Sequence, residues 1–415
     1  MIARVLLALL LALCAGGSAL AGTARPNALD RSVNAIPMAT LLSQPATKLL
    51  DADREAAAQR LEDYRSPVWI VMVLLEIVLL AWFWRSGWAA MLRGRLRRSI
   101  RNEFFVRFCF GAALAAIARL AALLPQFVEY RMWRTMGIST EAFGQWAGAW
   151  LVSAFVAMLL AGCVAAIVLW LADRTHQWYL YTIAGVFALT LAVTFVTPFA
   201  AGPFFARQIS APASVVASVR QLAMRAHSRV VPVREVLLET RSRAGRTYLT
   251  GVGPSEELRL SDTLVAGSTA GELQFALARE VGHIAGRDPL HKALMLALVI
   301  ILGTAIAVFV ADRVGFRRDD DPVSRLALVG ALLGCVYLVA LPVYSAYERR
   351  LELRADRFAV ALTHDPASGV RSIVRRADQD LLAPCPNRFS LWYFGTLPPT
   401  AKRIAALQGA PDPCP

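Results

Sequence analysis

A chain of 415 residues that is 57% hydrophobic, with mean hydropathy +0.49, is too apolar for a soluble globular protein of its size. The excess reads as membrane spans. Its net charge of +14 is almost all arginine, with lysine only at positions 48, 292 and 402; no nucleic-acid-binding motif accompanies that charge, so a nucleic-acid partner is not expected and the arginines read as flanks that orient spans.

Residues 1–21 combine an early arginine, an apolar run and Ala19-Leu20-Ala21. That pattern fits a signal peptide cleaved after Ala21 or an uncleaved first transmembrane helix. Residues 22–66 are polar and charge-balanced, and are expected to form an extramembrane segment with some helix. Residues 67–206 then read as a transmembrane bundle, with spans at Val68–Trp84, Phe104–Leu124, Gln145–Ala172 and Gln177–Ala206. Charges inside a bilayer are costly and usually paired, so Glu76 is expected to pair with Arg107 or Arg119. The alternative is that both arginines sit near helix ends and snorkel.

Residues 207–292 form the sizeable polar domain. A helix is predicted at Ala213–His227, strands at Arg234–Thr240, Thr247–Gly251 and Leu258–Leu264, and an amphipathic helix at Glu272–Ala285 that stops near Gly286 and Pro289. Residues 293–347 read as a transmembrane hairpin, Ala293–Ala311 and Leu326–Tyr347. Residues 348–415 continue as a helix, Glu348–Leu362, and end in a Pro-rich tail with a short helix at Thr400–Leu407. The expected fold is mainly α: a polytopic membrane helix bundle of six or seven spans with an inserted α+β domain.

The chemistry centres on Leu277-Ala278-Arg279-Glu280-Val281-Gly282-His283. A zinc-peptidase helix carries His-Glu-x-x-His, because histidines four apart share a helix face and the glutamate polarises the metal-bound water. Here Glu280 and His283 hold two of those places and Arg279 stands where the first histidine would be. Two spans later Glu352-Leu353-Arg354-Ala355-Asp356 offers a carboxylate ligand at Glu352 and, one turn on, Asp356 to orient the ligand shell.

These motifs, with the order of spans, resemble the CAAX prenyl protease family of membrane metalloendopeptidases, related to the HtpX heat-shock protease, over roughly residues 60–408. Two further stretches carry the resemblance: Leu258-Arg259-Leu260-Ser261-Asp262-Thr263-Leu264, similar to the family's strand and Asp-Thr-Leu turn, and Thr396–Ile404, similar to its C-terminal His-Pro…Arg-Ile motif. The resemblance implies a zinc cofactor held by His283 and Glu352, Glu280 as general base and Asp356 behind the ligands. It also implies a substrate-binding edge strand bearing Tyr248 and Gly251. Three departures fall at functional positions: Arg279, Leu397 in place of the C-terminal histidine, and Arg246-Thr247 in place of the edge strand's Asn-Ala.

Arginine has no lone pair to offer a metal and its charge opposes a cation. The expectation is therefore an internal ion pair in which the Arg279 guanidinium bridges Glu280 and Glu352. Two functions stay open. One is a catalytically impaired or inactive homologue, with zinc not required, that binds peptide or membrane-protein segments. The other is an active metalloendopeptidase with an altered zinc site, re-ligated by His291, His227 or His364. A transporter is disfavoured, since paired half-repeats are absent from the sequence.

The expected location is the bilayer of a bacterial inner membrane. Sidedness divides the readings. The Arg85–Arg101 loop carries six arginines and no acid, which places it in the cytoplasm and the 207–292 domain outside. The family resemblance implies a cytosolic site. An outside location would allow Cys385 and Cys414 to pair.

Overall fold

The computed structural model describes residues 33–205, 207–315 and 321–414. The predicted signal peptide or first span at 1–21 lies outside the described residues.

Two short helices, α1 (Met38–Ser43) and α2 (Ala46–Leu49), precede α3 (Ala52–Arg85), whose start is fixed by the Asp51 carboxylate accepting from the backbone N–H groups of Asp53 and Arg54. Then come α4 (Trp88–Ser99), α5 (Glu103–Thr135), α6 (Phe143–Arg174) and α7 (Trp178–Phe205). After the polar domain the chain returns through α11 (Asp288–Gly315) and α12 (Pro322–Thr363). Among the described residues six helices are long and apolar enough to cross a membrane: α3, α5, α6, most of α7, α11 and α12. Five of the predicted spans fall within one of them, and the sixth, Gln177–Ala206, overlaps α7, beginning one residue before it and ending outside the described residues.

Between the fourth and fifth of these helices lies a four-stranded sheet of order β1-β2-β4-β3. Its strands are β1 (Gln208–Ser210), β2 (Val233–Val236), β3 (Thr247–Thr250) and β4 (Glu257–Ser261). The central pair β2–β4 is parallel, and β3 runs antiparallel to β4 with Tyr248 opposite Arg259. That leaves β3 as an edge strand. The predicted strand at Leu258–Leu264 stops at Ser261 because the Ser261 hydroxyl accepts from the Leu264 N–H and starts the helix α9 (Asp262–Gly267). The predicted Arg234–Thr240 strand is shorter too: the Asp262 carboxylate accepts from the Leu238 N–H and takes that residue off the ladder.

Around the sheet pack α8 (Ala213–Arg225), α10 (Ala270–Ala285), α13 (Pro366–Gln379) and α15 (Thr400–Gln408), while α14 (Arg388–Tyr393) lies nearer the spans. Leu41, Leu222, Leu258, Leu260, Phe275, Leu277 and Ile404 meet in one buried core. Burying each such side chain contributes roughly 1.5–3 kcal/mol. The core draws on α1 and α15 as well as the domain proper, so both ends of the described chain are built into it. Ion pairs reinforce this: Arg375 Nε lies 2.9 Å from Glu272 Oε1, and Arg54 Nε lies 2.7 Å from Asp378 Oδ1.

The expected partnership of Glu76 with Arg107 is not made. Arg107, near the end of its span, pairs with Asp173 across α5 and α6. Arg119 Nη2 donates to Ser153 Oγ at 2.8 Å and its guanidinium lies 5.6 Å from the centre of the Trp150 ring.

Cys385 and Cys414 form a disulfide with a Cα–Cα distance of 5.4 Å, closing a loop of sequence separation 29. A crosslink over that length removes about 3–4 kcal/mol of chain entropy from the unfolded state in the loop-closure picture. Reduction is expected to lower the apparent melting temperature of the detergent-purified chain. A Cys385→Ser/Cys414→Ser double variant that melts like the oxidised wild type would refute that stabilisation.

Candidate functional site

Helix α10 is set by a capping box at Thr269 and Glu272. From Phe275 to Ile284 every residue is buried, so the helix runs through the domain rather than along its surface. It lies against the membrane-distal part of α12 at Gly282, where a Cβ would sit 2.8 Å from Phe358 Cδ1. That close approach brings Arg279 and His283 of α10 up to Glu352 and Asp356 of α12.

Arg279 is 5% exposed and sits between two carboxylates. Its Nη2 donates to Glu352 Oε2, and its Nε lies 2.7 Å from Asp356 Oδ1. The second contact is ionic, since the Nε–H is not aligned for a hydrogen bond. Burial alone would lower the pKa of Arg279, but Glu352, Asp356 and Glu280 outweigh it and hold the value above the usual arginine range. Asp356 is shared: Arg403 donates to it from Nε at 2.7 Å and from Nη2 at 2.9 Å. The cluster is thus two guanidiniums on two carboxylates, contributed by α10, α12 and α15.

Of the two partners expected for Arg279, Glu352 is met and Glu280 is replaced by Asp356. The Arg279 bridge runs from Glu352 to Asp356, and Glu280 contributes only through its field. Consecutive residues on a helix point about 100° apart. Arg279 therefore faces α12 while Glu280 faces the sheet, where Thr247 Oγ1 donates to Glu280 Oε1 at 2.8 Å.

His283 is oriented by Asp288, whose Oδ2 lies 2.7 Å from Nδ1. A carboxylate at that distance favours the tautomer with the proton on Nδ1 and turns Nε2 inward, 3.8 Å from Glu352 Oε1. Arg354 also pairs with Asp288. As arranged, this set does not fit a catalytic zinc ion. Such sites use three protein ligands and a water, whereas here a guanidinium occupies one side of Glu352. Among the described residues no group of three His, Cys, Asp or Glu is placed to hold a metal.

The remaining sequence-predicted residues fall in two places. Tyr248 is 38% exposed on β3, and Gly251 follows the strand at φ +82°, where a Cβ would meet the Ser255 carbonyl oxygen at 2.3 Å. Only glycine satisfies that turn. Arg246 leads into β3, and its Nη2 lies 3.0 Å from Asp380 Oδ1. Leu397 stands apart: it lines a cavity of about 460 Å³ between the spans and the C-terminal segment, with Trp69, Tyr337, Tyr344 and Phe394. Arg279, Glu280, His283 and Glu352 are not in that wall.

Sequence reasoning missed Asp288 and Arg403 as members of the cluster. Arg403 lies inside the Thr396–Ile404 stretch, and its burial to 2% was the missing signal. Asp288 follows His283 by five residues and reaches it only because the chain turns between α10 and α11, with Arg287 at φ +53°.

This is the architecture of an integral-membrane metallopeptidase: among the described residues, six long apolar helices, a small four-stranded sheet with β3 at one edge, and a Glu-x-x-His helix packed on a Glu-x-x-x-Asp helix. Comparison with known proteins gives the same class. Residues 212–410 match peptidase family M48, and residues 39–207 match the CAAX prenyl protease N-terminal region of five membrane helices. The chain is 22% identical to the uncharacterized metalloprotease YhfN of Bacillus subtilis over 362 residues, 84% of each protein. It is 29% identical to a protease HtpX homolog of Albidiferax ferrireducens over 187 residues, 40% of this chain and 63% of that one. The crystal structure of S. mikatae Ste24p superposes with a TM-score of 0.72 at 16% identity, covering 96% of this chain and 98% of that one. The chain belongs to the M48 family of membrane metallopeptidases.

Proposed function

We propose that this M48 homologue does not hydrolyse peptides and instead binds extended peptide or membrane-protein segments along the free edge of β3. The observation that carries the reading is the Arg279 guanidinium lodged between Glu352 and Asp356. It supplies, as a fixed part of the chain, the positive charge that a metal ion would bring to these carboxylates. Glu280, the family's base, is engaged by the Thr247 hydroxyl. β3 is the terminal strand on its side of the sheet, and an added strand would pair with its outer backbone groups as in β-augmentation. Tyr248, exposed on that strand, offers an aromatic surface to such a segment.

A second reading, an active peptidase with an altered zinc site, draws on one observation: His283 is held by Asp288 and turned toward Glu352, as a ligating histidine would be. The two readings part on one preparation. The purified wild-type chain is expected to carry well under one zinc per molecule and to leave a casein-type substrate intact with or without chelator. Stoichiometric zinc with chelator-sensitive cleavage would overturn the first reading and establish the second.

A further inference from the structure

The two ends of the membrane bundle can be told apart by what touches what. At one end the connection between α5 and α6 is tied to the polar domain, through an antiparallel bridge between Ser139 and Ser242 and a Ser139 Oγ hydrogen bond to the Arg241 carbonyl at 3.0 Å. The segment before α3 joins the same end, because Arg371 donates to the Ile36 carbonyl at 2.7 Å and Gln408 to the Leu41 carbonyl at 2.7 Å. The sheet, the Arg279 cluster and the disulfide-bonded tail all lie there. At the other end α4, between α3 and α5, meets the start of α12, with Arg93 Nη2 2.9 Å from Asp321 Oδ1. Passing through six long helices, the chain alternates between these ends consistently.

Two short connections, one at each end, differ in charge in the same sense. The connection at the far end, Arg85–Arg101, has six arginines and no acid. The short connection at the domain end, Met136–Ala142, has no arginine or lysine and one acid, Glu141. Short basic loops stay in the cytoplasm. The disulfide between Cys385 and Cys414 is an independent marker, since such bonds persist in oxidising compartments and are rare in the cytosol.

We infer that the metallopeptidase-like domain, with its edge strand, faces the oxidising, extracytoplasmic side of the membrane, and that the chains it meets are segments of membrane or exported proteins exposed there. The placement stands whatever the metal content. The class of partner rests on the peptide-binding reading above.

The test uses the full chain in intact cells, with Cys14, Cys109, Cys163 and Cys335 replaced by alanine. In that background the denatured, unreduced chain is expected to take up no polyethylene-glycol maleimide, and two equivalents after reduction. Side is read separately on two exposed positions in a chain lacking all six cysteines. A membrane-impermeant maleimide is expected to label Gly144→Cys, where an added side chain meets nothing within 4 Å, in intact cells. It is expected to label Ser99→Cys, at the end of α4, only after permeabilisation. Labelling of Ser99→Cys in intact cells, protection of Gly144→Cys until permeabilisation, or two free thiols without reduction would each overturn the inference. Both labelling positions lie on the surface, so the outcome does not hinge on removal of the disulfide.

Discussion

Replacing Arg279 with alanine is expected to destabilise the folded chain by about 3 kcal/mol, the lower end of what breaking one side of a buried ion pair costs. Glu352 would lose its guanidinium donor and Asp356 would keep only Arg403. The cost arises from burial: Asp356 is 2% exposed, so water cannot replace the lost partner. Arg279→Met retains most of the volume and removes the charge, and is expected to fall nearly as far in apparent melting temperature. Adding Glu352→Gln to Arg279→Met should recover part of the loss, because the remaining uncompensated charge is then removed as well. A wild-type melting curve for Arg279→Met would show that the pair holds nothing together.

Arg279→His is expected to convert a chain without zinc into one that binds it near one equivalent. Histidines at 279 and 283 would lie four residues apart on one helix face. Glu352, freed from the guanidinium, would supply the third ligand, while Asp356 remains held by Arg403 at 2.7 Å. The cation is then exchanged for a metal and the carboxylates stay compensated. Metal analysis of wild type and variant prepared side by side is the measurement. Free zinc at about a hundred times its dissociation constant should also raise the variant's stability by roughly 2.7 kcal/mol, and leave the wild type unmoved. A variant purified without zinc would mean that the lost histidine was not the only missing element. Hydrolysis is not expected to return with the metal, since the resemblance to the family aligns Leu397 with its C-terminal histidine.

The spans were legible because the signal is composition over a long window: Gln145–Ala172 carries no charge, and no soluble helix needs that. Helix periodicity puts positions 279 and 283, four apart, on one face of α10, and that face meets Glu352 and Asp356; Glu352, on another helix, was marked by the resemblance and not by periodicity. Of the two expected partners of Arg279, Glu352 is found and Glu280 is not. Glu280 is its neighbour in sequence, but its direction depends on the strand that packs beside α10, and the Thr247 hydroxyl claims it. The ends of β2 and β4 were misjudged for a related reason. Asp262 and Ser261 take backbone N–H groups that a hydrophobic pattern assigns to the ladder, and side-chain caps of this kind override strand propensity locally.

Helix α12 is 42 residues long, about 60 Å at an α-helical rise, twice the thickness of a hydrocarbon core. Its excess length carries the helix out of the bundle and into the polar domain. Tyr344, Glu348, Glu352 and Asp356 follow one another at intervals of four, so they form a single ridge on that helix. The ridge begins in the wall of the cavity, at Tyr344, and ends in the Arg279 cluster. From Val343 to Thr363 there is neither glycine nor proline to act as a hinge. Beyond Pro342, one uninterrupted stretch of helix thus carries both Tyr344 of the cavity wall and the carboxylates of the charged cluster, so the two halves of the molecule share one shaft.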